Sequence, residues 1–380
     1  MQPPLSSDDL RFLAVLVQKG HLPKENAEKL LALAAQRPGT ALDDLMIRAG
    51  FQKERVDFLR ATGGEDVPSI PGYTYLERIG FGGTAVVFKG RENSSGREVA
   101  LKVMHKELLG DPVQRRRFVR EAKLLMQLEH ANIVRGHRVG HVKDKDGLER
   151  LVFIMEWVPG ESLLLLLRKG MQFPEDAALY IILQACRALQ YLHGHGILHR
   201  DVKPDNVLLT RDNTVKLIDL GFATSIDEAK TESNDTTLGT AAYMSPEQAR
   251  GISDLDVRSD IYSLGATLFQ IAVGELPFHG EGTQEQLAAR ILEALSSSAL
   301  QSRRISPHMN YFIRKMMEQD REFRYQGTAE LIADIEEQIK GKKSLTYRPD
   351  VPDSADAMLD RPFDDKPKTP PKTPPPRRPV

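Results

Sequence analysis

The chain has 380 residues, of which 41% are hydrophobic and 28% are charged, and its formal net charge is −1. These values are ordinary for a soluble protein of two or three domains, and they give no reason to expect nucleic acid or an anionic membrane as the main partner. The single cysteine, Cys186, excludes an internal disulfide, and its apolar neighbours predict that it fills a helical core. No apolar run approaches the length of a membrane span, and the run of five leucines at 163–167 is closed by Arg168 and Lys169, so we expect a cytoplasmic protein.

The first part of the chain has a helical pattern. Apolar residues recur at steps of three and four positions between residues 8 and 60, which predicts a module of amphipathic helices over residues 1–62. A weak repeat relates two parts of this module at a constant offset: Phe12, Val15, Leu16 and Gly20 match Leu42, Leu45, Met46 and Gly50. Two interpretations stay open: a solubilising extension, or a module that docks a partner or self-associates through residues 8–60.

A change of pattern follows the module. Residues 63–72 mix glycine, proline and acidic residues and are predicted to form a linker. Predicted strands then cover 73–79, 85–91 and 98–104, a basic helix covers about 112–128, and a hairpin covers 134–142 and 150–156. Beyond residue 160 the pattern is mostly helical, with a short β segment near 206–219. Strands followed by helices predict an α+β protein with two lobes, 73–156 and 160–339.

The last part of the chain, residues 340–380, has no helical periodicity. Residues 349–365 are rich in aspartate, and residues 366–380 are rich in proline and basic residues. Such a segment cannot bury enough apolar surface to offset the entropy of ordering, so we predict disorder. Its two Lys-Thr-Pro-Pro repeats fit phosphorylation sites, polyproline ligands or an inert tail equally.

A glycine-rich segment lies between the first two predicted strands. Gly80, Gly82 and Gly83 would let the backbone approach phosphate oxygens, because glycine has no Cβ. In a dinucleotide-binding fold a helix would follow such glycines, whereas a strand follows them here. The pattern therefore favours a nucleotide site of another kind.

Charged residues of the two lobes form a second pattern. Lys102 ends the run 99–102, and a buried ammonium group needs a counter-charge, which Glu121 on the next predicted helix supplies. In the second lobe, the run His-Arg-Asp-Val-Lys-Pro-Asp-Asn at 199–206 and the run Asp-Leu-Gly at 219–221 concentrate polar groups. Clustered charged and polar groups destabilise the folded state unless they interact with a highly charged substrate.

These motifs occur in the order typical of eukaryotic-type protein kinases, and residues 73–339 resemble that family, most closely its bacterial eukaryotic-like serine/threonine kinases. The resemblance implies a bilobal fold with a β-rich N-lobe and a helical C-lobe. It also implies phosphoryl transfer from ATP, with Mg²⁺ or a substitute Mn²⁺, to serine or threonine hydroxyls of protein substrates. Lysine at position 203 is the form typical of serine/threonine kinases.

The resemblance also implies a role for each site residue. Asp201 would accept the proton of the substrate hydroxyl, Lys203 would neutralise the transferred group, and Thr240 would bond to both. Glu121 would hold Lys102 on the phosphates. The metal ligands would be Asn206 and Asp219. Residues implied to bind the nucleotide are Ile79, Gly80, Gly82, Gly83, Val87, Ala100, Lys102, Met155, Glu156, Val158 and Leu208.

The remaining implications concern regulation and support. Within an activation segment at 222–247, the candidate autophosphorylation sites are Thr231, Ser233, Thr236 and Thr237, with Arg200 expected to hold a phosphate. Glu247 is expected to pair with Arg324, and Asp260 to anchor the backbone of the catalytic loop. The chain departs from the family pattern at Ala85, which replaces the third glycine and predicts a less flexible loop.

Two other functions are compatible with parts of the sequence. In a pseudokinase or scaffold, the N-terminal module would carry the function, and Ala85 is the sequence feature that slightly favours this interpretation. A small-molecule kinase is disfavoured by the peptide-docking pattern at 239–247. The helical module itself resembles small modules at the N-termini of some bacterial secretion ATPases and bacterial kinases.

Overall fold

The computed structural model describes residues 5–37, 39–144, 147–225, 241–278 and 305–341. Four helices form the N-terminal module: α1 (Ser7–Gln18), α2 (Lys24–Gln36), α3 (Leu42–Arg48) and α4 (Lys53–Thr62). The side chain of Ser6 accepts a hydrogen bond from the Asp9 amide and so caps α1. Leucines from all four helices form a core of their own, separate from the core of the C-lobe.

The weak repeat of the sequence corresponds to a repeated turn. Gly20 and Gly50 follow α1 and α3 with φ of 73° and 97°, a conformation that favours glycine. The next residue of each copy closes the same turn: the His21 amide donates to the Leu16 carbonyl, and the Phe51 amide donates to the Met46 carbonyl. The matched glycines therefore end the two helices in the same way.

A five-stranded antiparallel sheet forms the N-lobe. Its strands are β1 (Tyr73–Phe81), β2 (Ala85–Glu92), β3 (Glu98–Met104), β4 (Gly136–Lys143) and β5 (Glu149–Glu156), in the order β1-β2-β3-β5-β4. Each of the five corresponds to a strand predicted from the sequence. Helix α5 (Pro112–Gln127) packs on one face of the sheet, and it begins where the Asp111 carboxylate accepts the amides of Val113 and Gln114.

The N-terminal module and residues 63–72 cover the opposite face of this sheet. Phe58 of α4 meets the ring of Tyr75 edge-on, with 5.6 Å between ring centroids. Val67 and Ile70 are buried in the same apolar cluster, and the Tyr75 hydroxyl donates to the Pro68 carbonyl over 2.9 Å. The segment predicted as a linker is thus a packed layer over the sheet.

The C-lobe is mainly helical. Its helices are α6 (Leu163–Arg168), α7 (Glu175–Gly194), α8 (Pro246–Ala249), α9 (Val257–Val273), α10 (Pro307–Met316) and α11 (Thr328–Gly341). Its short strands are β6 (Gly160–Ser162), β7 (Ile197–Leu198), β8 (Val207–Thr210), β9 (Val215–Leu217) and β10 (Thr224–Ser225). Cys186 of α7 is a fully buried free thiol, which confirms its predicted place in the core. The α+β, two-lobed architecture expected from the sequence is confirmed.

Several predictions fall on residues outside the described ranges. These are Thr231, Ser233, Thr236, Thr237 and Thr240, together with the tail 342–380. Among the helices of the described ranges, none is both long enough and apolar enough to cross a lipid bilayer.

Candidate active site

A buried ion pair joins the sheet of the N-lobe to α5. Nζ of Lys102, on β3, lies 2.6 Å and 2.8 Å from the two carboxylate oxygens of Glu121. Only 4% of the Glu121 side chain is exposed. The counter-charge that the sequence predicts for Lys102 is therefore in contact with it, and no other described residue forms a hydrogen bond with either side chain.

Burial and neighbouring charges act against each other in this pair. Burial alone would lower the pKa of Lys102, but the charges of Glu121 and Asp219 raise it above its ordinary value. For Glu121, burial and the charge of Asp219 outweigh the attraction of Lys102 and raise the pKa to about 7. The carboxyl group is therefore only partly ionised near neutral pH.

The catalytic-loop residues form a second cluster around Asp201. Lys203 Nζ donates to Asp201 Oδ2 over 2.7 Å, and Nδ2 of Asn206 donates to the Asp201 carbonyl and carboxylate over 2.9 Å and 3.1 Å. The second carboxylate oxygen of Asp201 is buried and has no hydrogen-bond partner in the described part of the chain. Burial raises the pKa of Asp201 although Lys203 opposes it. An unpaired, partly basic oxygen of this kind can accept a proton.

Asp260 of α9 holds the backbone of this loop. One carboxylate oxygen accepts the Arg200 amide over 2.8 Å, and the other accepts the His199 amide over 2.9 Å. The second oxygen also lies 2.8 Å from Nε2 of His193. Arg200 has a φ of 65°, which is strained for a non-glycine residue, and these bonds help to keep that conformation. The predicted anchoring role of Asp260 is confirmed.

A second buried ion pair supports the C-lobe next to this loop. Both carboxylate oxygens of Glu247 contact Arg324, at 2.7 Å and 2.8 Å, as the sequence predicts. Ser259 also donates to Glu247, and the guanidinium donates to three backbone carbonyls, at Glu318, Arg258 and Gln319. Burial would raise the pKa of Glu247, but Arg324 and Ser259 hold it below its ordinary value.

Asp219 lies between the two clusters. Burial would raise its pKa, but the charge of Lys102 and the Gly221 amide, which donates to the carboxylate over 2.7 Å, keep the pKa below its ordinary value. A Cβ at Gly221 would come within 3.0 Å of the Asp219 carboxylate and 3.7 Å of the Glu121 carboxylate. Charges from both lobes are therefore brought together at this point.

The glycine-rich segment spans the end of β1 and the start of β2. A Cβ at Gly83 would meet nothing within 4 Å, and at Gly80 or Gly82 it would make only ordinary contacts of 3.5 Å. The packing of the protein itself therefore does not require glycine at these positions, which fits close approach by a ligand. Ala85, by contrast, is 3% exposed and contributes its methyl group to the core, so the departure from glycine has a packing reason.

The apolar residues expected to contact the nucleotide come from the N-lobe sheet, from the connection between the lobes and from β8 of the C-lobe. Ala100 and Met155 face each other across β3 and β5 and are buried, as is Val158, whereas Val87 and Leu208 are half-buried and Ile79 is 46% exposed. At the connection between the lobes, the Glu156 amide donates to the Arg135 carbonyl and is therefore not available to a ligand. Val158 differs, because its amide donates to none of the described residues. The sequence did not predict this difference.

The sequence also missed residues that hold the glycine-rich segment and the sheet. The imidazole of His105 bonds the Gly82 carbonyl over 2.8 Å and lies 5.1 Å from the ring of Phe81. Arg150, 2% exposed, donates to the carbonyls of Asp66 and Met104. No local pattern marks these residues, because their partners are more than 20 positions away.

Comparison with known proteins gives a consistent result. Residues 73–334 match the family model of the protein kinase domain. The serine/threonine-protein kinase PknB of Mycobacterium leprae is 36% identical over 264 residues, which cover 69% of this chain and 42% of that protein. A probable serine/threonine-protein kinase PknB of Lactococcus lactis is 32% identical over 302 residues, 78% of this chain and 47% of that protein. The chain thus spans less than half the length of these curated relatives.

Proposed function

This chain belongs to the protein kinase domain family, and from that premise we propose that it is a serine/threonine protein kinase that uses ATP. The observation that carries the proposal is the meeting of charges from both lobes: the Lys102–Glu121 pair, the Asp201 cluster and Asp219. The lysine at 203 and the relatives named as serine/threonine kinases support hydroxyl acceptors on proteins.

In the proposed reaction, the substrate hydroxyl oxygen bonds to the γ-phosphorus of ATP while the bond to the departing ADP oxygen breaks. Asp201 orients the hydroxyl and receives its proton, which its unpaired, buried carboxylate oxygen and raised pKa support. Lys203 and Lys102 stabilise the negative charge of the phosphoryl oxygens, Lys102 being held in place by Glu121. Thr240, which lies outside the described residues, is proposed to bond Asp201 and Lys203.

We propose that Asn206 and Asp219 hold Mg²⁺, with Mn²⁺ as a substitute. Nδ2 of Asn206 is committed to Asp201, so its amide oxygen is the atom left for a metal, and Asp219 is kept ionised. No group of three or more histidine, cysteine or acidic residues in the described ranges could hold a metal alone. Two oxygen ligands fit Mg²⁺, which takes its other ligands from phosphates and water and would neutralise phosphate charge.

The nucleotide is proposed to lie between the glycine-rich segment and the apolar residues expected to contact it. Gly80, Gly82 and Gly83 would approach the phosphates. The adenine ring would contact Ile79, Val87, Ala100, Met155 and Leu208. The unpaired amide of Val158 supports a hydrogen bond to the base, while Glu156 would contribute only its carbonyl.

Regulation and location are further parts of the proposal. Phosphorylation within 231–237, at Thr231, Ser233, Thr236 or Thr237, would add charge that Arg200 can bind. The free and fully buried Cys186 supports a reducing, cytoplasmic location.

The decisive experiment measures phosphate transfer from labelled ATP to a generic basic protein substrate and to the chain itself. We expect incorporation that requires added magnesium, and a loss of about 100-fold or more in the Asp201→Asn variant. Melting temperatures of the two proteins should agree, because the substitution keeps the size of the side chain. Incorporation no greater than that of Asp201→Asn, after coexpression with an activating kinase, would refute the proposal and favour a scaffold.

A further inference from the structure

Helix α5 has a second face, opposite to the one that carries Glu121, which the proposed reaction does not use. On this face, α5 and the neighbouring strands β4 and β5 form a cavity of about 530 Å³. Its apolar floor consists of Val119, Leu124 and Leu151. Its rim is basic and consists of Arg115, Arg116, Arg120 and Lys123.

Three of the four rim residues carry positive charge that no described residue neutralises. Arg115, Arg116 and Lys123 are exposed and form no ion pair with any described residue, whereas Arg120 donates to the Thr224 hydroxyl. The only acidic residue of α5 is Glu121, and it is paired with Lys102 on the far side of the helix. An apolar floor with a cationic rim suits a ligand that combines aspartate or glutamate with apolar side chains.

A segment with this chemistry follows α11 in the chain. Residues 349–365 carry six aspartates and a single arginine, and the apolar residues Met358, Leu359 and Phe363 stand among the acids. We propose that this Asp-rich segment binds in the α5 cavity of its own chain, with the apolar side chains on the floor and the aspartates at the rim.

The segment is long enough to reach the cavity. Helix α11 ends at Gly341, and its Glu336 pairs with Arg187 of α7 over 2.8 Å. One turn further along α7, the hydroxyl of Tyr191 accepts a hydrogen bond from the amide of Glu129, which lies two residues after the end of α5. Fifteen residues separate Gly341 from Asp356, and an extended chain of that length spans roughly 50 Å. The contacts that α11 and the segment after α5 make with α7 lie four residues apart, roughly 6 Å along the helix axis, and an extended chain of this length can cover that step.

Carbodiimide cross-linking of the full chain tests this proposal, because it joins only amines and carboxylates that are in contact. Lys123 is the single lysine of the cavity. We expect amide links from Lys123 to Asp353, Asp356 or Asp360, identified by mass spectrometry, at a yield at least five times that for Lys29, an exposed lysine of the N-terminal module. Links of Lys29 and Lys123 at equal yield would overturn the proposal.

Two variants and one mixing experiment test whether the links depend on the basic rim, on Lys123 and on a segment of the same chain. Arg115→Glu combined with Arg116→Glu should reduce the Lys123 links several-fold, while the melting temperature stays unchanged because both side chains are exposed. Lys123→Arg should abolish the links while keeping the charge. In a mixture of ¹⁵N-labelled and unlabelled chains, the linked peptides should both come from one chain. Links between labelled and unlabelled peptides would show a second copy as the occupant and would overturn binding within one chain.

Discussion

Two buried ion pairs, Lys102–Glu121 in the N-lobe and Glu247–Arg324 in the C-lobe, are built differently. Lys102 and Glu121 bond only to each other among the described residues, and they connect a strand to a helix. Glu247 and Arg324 share four further hydrogen bonds with Ser259 and three backbone carbonyls. The hydrogen-bonding groups of the Glu247–Arg324 pair all have partners, and we therefore interpret this pair as structural. The Lys102–Glu121 contact is stabilised mainly by the attraction between its own two side chains.

The pKa shifts of the two carboxyl groups express the same difference. The pKa of Glu121 is raised to about 7, because burial and Asp219 outweigh Lys102. The pKa of Glu247 is lowered despite burial, because Arg324 and Ser259 stabilise its charge. A charged group that is held weakly in the apo protein can exchange its partner for a ligand. The Lys102–Glu121 pair is suited to such exchange with phosphate, and the Glu247–Arg324 pair is not.

The largest effect on stability is expected from Arg324→Leu. This substitution leaves Glu247 buried without its counter-charge, and breaking a buried pair in this way costs about 3–5 kcal/mol of unfolding free energy. Urea denaturation measures the loss. Arg321→Leu is the matched control. The side chain of Arg321 is 29% exposed, so the loss of its ion pairs should cost less than about 1 kcal/mol of unfolding free energy. Equal losses in the two variants would contradict the structural role of the Glu247–Arg324 pair.

Lys102→Met should affect activity far more than stability. Glu121 can become neutral once Lys102 is gone, because its pKa is already high, so we expect a loss of only about 1 kcal/mol of unfolding free energy. Phosphate transfer should fall about 100-fold or more, since a positive charge on the phosphates is lost. Denaturation and labelled-ATP assays on the same preparation check both values. A stability loss as large as that of Arg324→Leu would remove the contrast between the pairs.

The two pairs should respond oppositely to pH. Because folding raises the pKa of Glu121 from 4.5 to about 7, the folded state binds more protons than the unfolded state in this interval, and stability falls as pH rises through it. Because folding lowers the pKa of Glu247, its contribution is present above 4.5 and is lost as pH falls below it.

Denaturation of Glu121→Gln and Glu247→Gln across this range measures both responses. When the pH rises from 5 to 7, the unfolding free energy of the wild type should fall by about 2 kcal/mol relative to that of Glu121→Gln. The unfolding free energy of the wild type should exceed that of Glu247→Gln by a constant amount in that interval. This difference should decrease only when the pH falls further. Parallel curves for the two variants would contradict the opposite pKa shifts.

A smaller effect on the Glu247–Arg324 pair is expected from Ser259→Ala than from Arg324→Leu. This variant removes one hydrogen bond to a charged carboxylate and leaves the ion pair intact, which costs about 1.5 kcal/mol of unfolding free energy. Ser263→Ala is a matched control on the same helix, because Ser263 donates only to a backbone carbonyl and should cost less. A larger loss for Ser263→Ala would mean that packing of α9, rather than support of Glu247, determines the result.

Local signals in the sequence predicted much of this arrangement. Alternating and continuous apolar runs located all five N-lobe strands to within two residues at each end. The cost of burying an unpaired lysine pointed from Lys102 to Glu121, and these two side chains are in contact. The anchoring of the catalytic loop by Asp260 followed from the family resemblance.

The packing between distant segments could not be predicted in the same way. The glycines and prolines of residues 63–72 indicate a linker, but Val67 and Ile70 are buried against strands that follow later in the chain. Phe58 shows the same limit: its helical spacing predicts an apolar face but does not reveal that Tyr75 is the partner. The hydrogen bond from the Glu156 amide to the Arg135 carbonyl could not be predicted from the sequence either, because it depends on the backbone path of two segments.

The layer formed by α4 and residues 63–72 bears on how the protein can be produced. A recombinant fragment starting at Tyr73, where the family match begins, would place Tyr75, Val86 and other residues of that sheet face in water. Exposed apolar patches of this kind promote aggregation. The shortest fragment that remains soluble should therefore include α4 and residues 63–72. Because α4 shares its core with α1, α2 and α3, truncation experiments intended to isolate the kinase domain need a start before residue 7.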